Sequence, residues 1–387
     1  MNREAVTRAL AARRIVVKVG SALLVDGEGC LRRHWLEGLA RDLRELVDGG
    51  ARPVIVSSGA VALGRRALGL DRRMLRLDEK QAAAAVGQIH LAHAWREVLA
   101  RVGLETAQIL ITLDDTEARR RYVNARNTFE TLLRLGVVPV VNENDTVATA
   151  EIRFGDNDRL SARVAVMLEA ETLVLLSDVD GLYSADPARS PRAVHLPRVA
   201  RIDPEIEAMA GDSRTGVGTG GMKSKLAAAR IATEAGTTVL LAAGTVNRPL
   251  RALREGARHT LFLARTTPRR ARKRWIAASL APAGRIRVDD GAVAALRAGK
   301  SLLPAGVRAV EGRFEKGDAV LVVDGEGRAV AKGIVSYDAD DARRIAGRRT
   351  DEIEAVLGWR GRDELVHRDD LVLLDETHPN GRAPSHP

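Results

Sequence analysis

The sequence predicts an α/β protein with a mostly parallel sheet flanked by helices, followed by a small, mainly β domain. Short apolar runs rich in Val, Ile and Leu alternate with amphipathic helical stretches over the first two-thirds of the chain, as in sheets covered on both faces. After Pro268 the pattern changes to short strands separated by Gly- and Asp-containing turns. The length, 387 residues, exceeds what one core usually organises, since domains run to roughly 100–200 residues.

The elements follow in order. Arg14–Val19 (RIVVKV) is a β-branched strand ending at Gly20, and Trp35–Val47 has helical periodicity. Pro53–Val56 (PVIV) is a buried strand that leads into Ser57-Ser58-Gly59. An Ala-rich helix covers Glu79–Leu99, followed by a strand at Ala107–Thr112 and a helix at Ala125–Leu135. Val137–Val141 and Thr172–Leu176 are apolar strands, Lys225–Ala235 is helical, and Thr238–Ala242 closes the α/β part. Beyond it, Ala319–Val323 and Ala329–Val335 are strands of the second domain. The expected boundaries are a main domain over 1–264, an exposed basic linker over 265–282, a small β domain over 283–366 and a C-terminal tail over 367–387, Pro-rich and disordered over Glu376–Pro387.

Composition narrows the function classes. Hydrophobic residues make up 45% and aromatics only 3%, so aliphatic side chains must fill the cores. The single cysteine, Cys30, excludes an intramolecular disulfide, and no Cys/His spacing suggests zinc; a reducing, cytoplasmic setting is expected. No apolar run reaches the roughly 18 residues that span a bilayer. The Ala- and Arg-rich start could be taken for a short transit peptide, but with so little chain before the first strand a short leading segment is expected. The net charge is +10, but Arg265–Arg274 alone carries six basic residues and no acid. Gly284–Val366 carries fifteen basic and fifteen acidic residues, a balance that weighs against binding a phosphate backbone.

Five motifs carry chemistry, several at strand ends, where ligands bind in such sheets. Lys18 precedes Gly20-Ser21 at the end of the first strand; alone, it is also what a snorkelling lysine looks like. Ser58 and Gly59 are small residues that let backbone amides approach an anion, as would a plain strand-to-helix turn. Asn142, Asn144 and Asp145 crowd the end of VVPVV, where Asx residues also make turns. Asp156, Asn157 and Asp158 precede a helix; all three cannot be N-caps, so one or two are free to bind. Gly216–Lys225 (GVGTGGMKSK) is a glycine-rich loop entering a helix. It is neither a Rossmann fingerprint, lacking a preceding strand, nor a Walker A loop, because Met222 separates Gly221 from Lys223. Lysines at a helix start oppose the dipole, a conflict that a bound nucleotide phosphate relieves. None of the eight histidines sits in a recognisable site.

Together VVKVGS, VSSGAVALG, VNENDTV, FGDNDRLSA, LLSDVDGLYSADP, GTGGMKSK and RKRWI resemble the amino-acid kinase family, and within it the glutamate 5-kinase branch. GKSLLPAGV and VEGRFEKGD resemble the PUA domain that many members of that branch carry. The likeness runs from about Arg14 to Leu374, and the order and spacing of the motifs are more specific than any one. It implies an amino-acid kinase fold and ATP-dependent phosphorylation of the glutamate side-chain carboxylate, the first step of proline biosynthesis. It further implies that Lys18 and Lys225 hold the transferring phosphoryl group and that Asp158 orients them. Ser58, Gly59, Asp145 and Asn157 would bind glutamate, with Asn142 and Asp156 beside them. Ser177, Asp178 and Thr219, Gly220, Gly221, Met222, Lys223, Ser224 and Lys225 would bind ATP. Mg²⁺ would arrive with ATP, with no separate protein metal site. Ser224 departs from the family's usual Thr but keeps the hydroxyl. Feedback inhibition by proline and a homo-oligomer, dimer or tetramer, are expected. The alternatives are a kinase of the same fold acting on N-acetylglutamate, aspartate, UMP or carbamate, or an RNA-binding protein working through the PUA-like domain.

Overall fold

The computed structural model describes residues 2–70, 74–147, 156–210, 221–279 and 281–374. Two compact units divide at Pro268. The first begins with α1 (Asn2–Leu10), β1 (Arg14–Val19), α2 (Ser21–Leu24), α3 (Arg33–Asp48), β2 (Arg52–Ser57), α4 (Ala60–Ala67), α5 (Leu77–Ala100) and β3 (Thr106–Ile111). It continues through α6 (Leu113–Glu117), α7 (Arg119–Arg134), β4 (Val138–Glu143), α8 (Asp156–Met167), β5 (Thr172–Ser177), β6 (Leu182–Tyr183), β7 (His195–Leu196) and β8 (Arg198–Val199). It ends with α9 (Pro204–Ala208), α10 (Met222–Glu234), β9 (Thr238–Ala243), α11 (Pro249–Glu255) and β10 (His259–Phe262).

Among the described residues the main sheet has eight strands in the order β3-β4-β2-β1-β5-β9-β10-β8. Its pairs are parallel except for β10 against β9. The α/β part therefore does not close at Ala242: β10 returns antiparallel and adds His259–Phe262 to the sheet. Strand alternation sorts the core into two layers. Ile15, Val17, Val19, Ile55, Val174, Leu176 and Leu240 pack with Leu36, Leu39 and Leu43 of α3 and Trp95 of α5. Val16, Val54, Val56, Leu173, Leu175 and Leu241 pack on the other face with Phe129 of α7 and the apolar stripes of α8 and α10. The registers set Val19 opposite Ser57 and Leu176, so β1, β2 and β5 end on one edge. β4, with Val141 opposite Val56, brings Asn142 level with Ser57.

The second unit contains α12 (Pro268–Ser279), β11 (Gly284–Val288), α13 (Asp290–Arg297), β12 (Val307–Gly312), β13 (Ala319–Val323), β14 (Ala329–Ile334), α14 (Ala339–Ile345), α15 (Ile353–Leu357) and β15 (Leu371–Leu373). Its sheet runs β12-β11-β13-β14-β15. The basic run is not an exposed linker. It forms α12, whose Ile276 is fully buried beside Ala319 and Ile334, and whose Arg272 donates to Asp370 at 2.9 Å with both side chains buried. Composition concealed this because Arg272 and Ile276 give the helix one buried side while Arg269, Arg270 and Arg274 are exposed. Residues 371–373 pair with β14 and so belong to the unit, not to a tail; 375–387 lie outside the described residues. Among the described residues no helix is long and apolar enough to cross a membrane.

One close approach fixes the start of α4. Gly64 and Gly87 face each other where α4 crosses α5, and a Cβ on Gly87 would lie 1.8 Å from the Ala60 carbonyl oxygen. In an open helix Gly→Ala would stabilise by about 1 kcal/mol. Here the obstacle is backbone, which cannot swing aside. Gly87→Ala is expected to destabilise by about 1–3 kcal/mol, read as a lowered Tm in thermal unfolding. Gly27→Ala, where no atom lies within 4 Å of the added carbon, is expected to leave Tm unchanged.

Candidate active site

Strand and helix periods bring three charges together. Lys18 shares a strand face with Val16, so it points toward the layer of α8 and α10. On α8 the buried residues Asp158, Ser161, Ala162 and Ala165 recur at helical spacing, which turns Asp158 inward. On α10 Lys225, Ala228, Ala229 and Ala232 form the equivalent stripe, its small side chains set close to α8. Lys18 Nζ lies 2.6 Å from Asp158 Oδ1, and Lys225 Nζ lies 3.3 Å from Oδ2. Ser224 Oγ also donates to Oδ2, at 2.8 Å. The three charged residues are 7%, 6% and 0% exposed for Lys18, Lys225 and Asp158.

Burial pushes the Asp158 carboxyl up, but the charges of Lys18 and Lys225, aided by the Ser224 hydroxyl, outweigh it and hold the group below its ordinary value. Asp158 thus faces both ammonium groups in a buried site, where a charge is tolerated only when paired. A Cβ on Gly20 would lie 3.7 Å from Lys18 Nζ, so the backbone at the end of β1 passes close to the ammonium. The start of α10 suits an anion: Gly221 caps it without a side-chain hydrogen bond, and the first turn holds no acid.

Beside this cluster lies an amide network. Asn157 Nδ2 donates to Ser58 Oγ at 2.8 Å and to Asn142 Oδ1 at 3.1 Å. Asn142 Nδ2 in turn donates to Gln88 Oε1 at 2.8 Å. Trp95 Nε1 donates to Ser57 Oγ at 2.9 Å and anchors the strand end before Ser58. Gly59 stands at φ +109° as it turns the chain into α4, a conformation that favours glycine. Asp145 is half-buried just past β4, and burial pushes its carboxyl up to about 6. At the end of β5, Ser177 Oγ donates to the exposed Asp178 at 2.8 Å.

The structure thus gathers Lys18, Asp158, Lys225 and Ser224 in one cluster and Ser58, Asn142 and Asn157 in a second. Ser177 and Asp178 stand at the same sheet edge. Met222 and Lys223 occupy the first turn of α10. Thr219, Gly220 and the Asp156 side chain lie outside the described residues.

A model of the amino acid kinase family matches residues 13–242. The chain belongs to the amino acid kinase family. A PUA domain model matches residues 284–357. Curated relatives named Glutamate 5-kinase are similar over nearly the whole chain. That of Paramagnetospirillum magneticum is 57% identical, covering 94% of this chain and 98% of the relative. Glutamate 5-kinase 1 of Mesorhizobium japonicum is 58% identical, covering 93% and 96%. The Paracoccus denitrificans protein is 59% identical, covering 94% and 97%. Within this family member, the matched span holds the lysine cluster and the amide network.

Sequence reasoning missed Gln88, Trp95 and the glycine pair. Gln88 and Trp95 sit in an Ala-rich helix with no local signal of function. Their relevance arises only when α5 is laid against β2 and β4.

Asp158→Asn would remove the carboxylate that both buried ammonium groups face. It is expected to cost about 3–5 kcal/mol at neutral pH, measured by denaturant unfolding. A depressed carboxyl contributes stability above its unfolded pKa and loses it as pH falls through the folded one. The gap between wild type and variant is therefore expected to close below pH 3.8.

Proposed function

We propose that the chain transfers the γ-phosphoryl group of MgATP to the side-chain carboxylate of L-glutamate, giving L-glutamyl 5-phosphate, the first step of proline biosynthesis. The observation that carries this is the buried pair of lysines on one carboxylate. The near full-length similarity to curated glutamate 5-kinases directs that chemistry to glutamate.

The chemistry suits the residues. The γ-carboxylate, with an ordinary pKa of about 4.3, is already a nucleophile at neutral pH and needs no general base. Its oxygen attacks the γ-phosphorus, the bond to the β,γ-bridging oxygen breaks, and ADP leaves with no proton moved. The difficulty is bringing an anion to a polyanion. Lys18 and Lys225 are the fixed cations that offset this repulsion and the charge of the transition state, and Asp158 holds both in place. Mg²⁺ would arrive with the nucleotide substrate and would offset charge on its phosphates. Ser177, Asp178 and the Thr219–Lys225 segment are assigned to ATP, the start of α10 receiving phosphate. Ser58, Gly59, Asn142, Asp145, Asp156 and Asn157 are assigned to glutamate. In this assignment Asp145 pairs with the α-ammonium, which selects a free amine. Cytoplasmic location, a homo-oligomer and feedback inhibition by proline belong to the same reading, tested by fractionation, light scattering and proline titration.

Hydroxylamine trapping of acyl phosphate, with each acceptor offered separately, is expected to show turnover of glutamate and little of N-acetylglutamate or aspartate. Equal turnover of glutamate and N-acetylglutamate would refute the assignment of the ammonium group. Lys225→Ala is expected to lower kcat by about 10²–10³ with a smaller effect on glutamate KM. A folded variant with normal kcat would remove the lysine from the mechanism.

The pH dependence of kcat/KM for glutamate tests Asp145. Below about 6 its carboxyl is neutral and cannot offset an ammonium. The wild-type value is expected to fall on the acid side through that pH. Asp145→Asn is expected to be low throughout and to lack that limb.

A further inference from the structure

A primary amide offers a donor on one side and an acceptor on the other, so amides joined in series constrain one another. Three stand in series here. Gln88 presents Oε1 to Asn142 Nδ2 at 2.8 Å. Asn142 then has its Oδ1 toward Asn157, whose Nδ2 donates to it at 3.1 Å and to Ser58 Oγ at 2.8 Å. The far side of the last amide, Asn157 Oδ1, is buried without a hydrogen-bond partner among the described residues. A buried acceptor left unpaired is costly unless a donor reaches it. Reversing all three amides together would satisfy the same pairs and would turn the Asn157 NH₂ group outward. In the arrangement observed, Gln88 on α5 accepts from Asn142 and the last amide keeps its oxygen as the unpaired end.

We propose that Gln88 is a positioning residue for the acceptor substrate: by accepting from Asn142 it makes Asn157 present an oxygen, not an NH₂ group, to the substrate's ammonium. The proposal rests on the reading that Asn157 binds glutamate. The neighbouring Ser58 Oγ accepts from Asn157 Nδ2, which leaves its own O–H to donate to a carboxylate. An acceptor for ammonium and a donor for carboxylate then stand side by side, as the α-carbon of a free amino acid requires. Gln88 touches neither reacting group in this scheme. It acts on KM and on amine selectivity, not on phosphoryl transfer.

The test uses the full chain and replaces the end of the series. Gln88→Glu offers only acceptor oxygens, and Gln88→Lys only donors. Steady-state rates are measured with glutamate and with glutarate, which lacks the amine, by trapping the acyl phosphate. Gln88→Lys is expected to raise the glutamate KM by roughly 10- to 100-fold, the cost of mispairing a charged hydrogen-bond partner. Its kcat at saturating glutamate and its KM for ATP should stay near wild type. Its preference for glutamate over glutarate should collapse. Gln88→Glu is expected to keep wild-type KM and preference. If the lysine variant does not fold, Gln88→Met, similar in length without an amide, takes its place against Gln88→Glu, with the same loss of preference expected. Equal impairment of the Glu and Lys variants, or an unchanged glutamate-to-glutarate ratio in Gln88→Lys, would overturn the proposal. Asn157→Ala separates the two levels. If it raises glutamate KM while Gln88→Lys does not, the relay alone falls; if it leaves KM unchanged, the assignment of Asn157 falls and takes the relay with it.

Discussion

The Asp158 carboxylate, fully buried between two ammonium groups, is the constraint around which the main unit is arranged. A charge in a dry site is tolerated only when paired and hydrogen-bonded. Meeting that condition fixes the relative placement of three separate elements: β1 must present Lys18 on the helix-covered face, α8 must turn its first turn inward, and α10 must enter with a lysine where its stripe is otherwise alanine. The small residues along α8 and α10 follow from the same demand, because two long lysine side chains reach one carboxylate only if the helices lie close together. The pairing holds both ammonium groups on rigid elements, the condition under which electrostatic stabilisation costs little reorganisation.

The parallel sheet then does the sorting. Parallel strands end on one edge, so residues that follow different strands meet there although they are far apart in sequence. The β1 and β5 ends stand beside the lysine cluster, and the β2 and β4 ends carry Ser58 and Asn142. Asn157 and Asp158, neighbours on α8, look to the two groups in turn. One helical turn thus connects the charge cluster to the amide network. That adjacency is what a transfer between a polyanion and a small amino acid requires.

The second unit has its own sheet and its own core. Its charge beyond α12 is balanced, and part of the basic run that opens it is committed internally through Arg272 and Asp370. An arginine that donates to a buried carboxylate is not available to a phosphate backbone. The net positive charge of the chain is therefore a poor guide to a nucleic-acid partner, and the family match of this unit by itself assigns it no chemistry.

By itself, the sequence determined the fold class, the alternation of elements and the positions of the polar motifs. These depend on local period and on residues adjacent in the chain: RIVVKV reads as a strand, and Lys18 is visibly at its end. The inward turn of Asp158 was not read there: the segment looked like a lead-in to a helix, but α8 begins at Asp156 and carries Asp158, Ser161, Ala162 and Ala165 at helical spacing. Four further things waited on the tertiary structure. The return of β10 to the sheet and the helix of the basic run depended on long-range pairing, which overrode a composition that looked like linker. The crossing of α4 and α5 needed two glycines that meet only in space. The orientation of the Asn157 amide depended on Gln88, a residue with no local mark, because hydrogen-bond direction passes between side chains through contact and not along the chain.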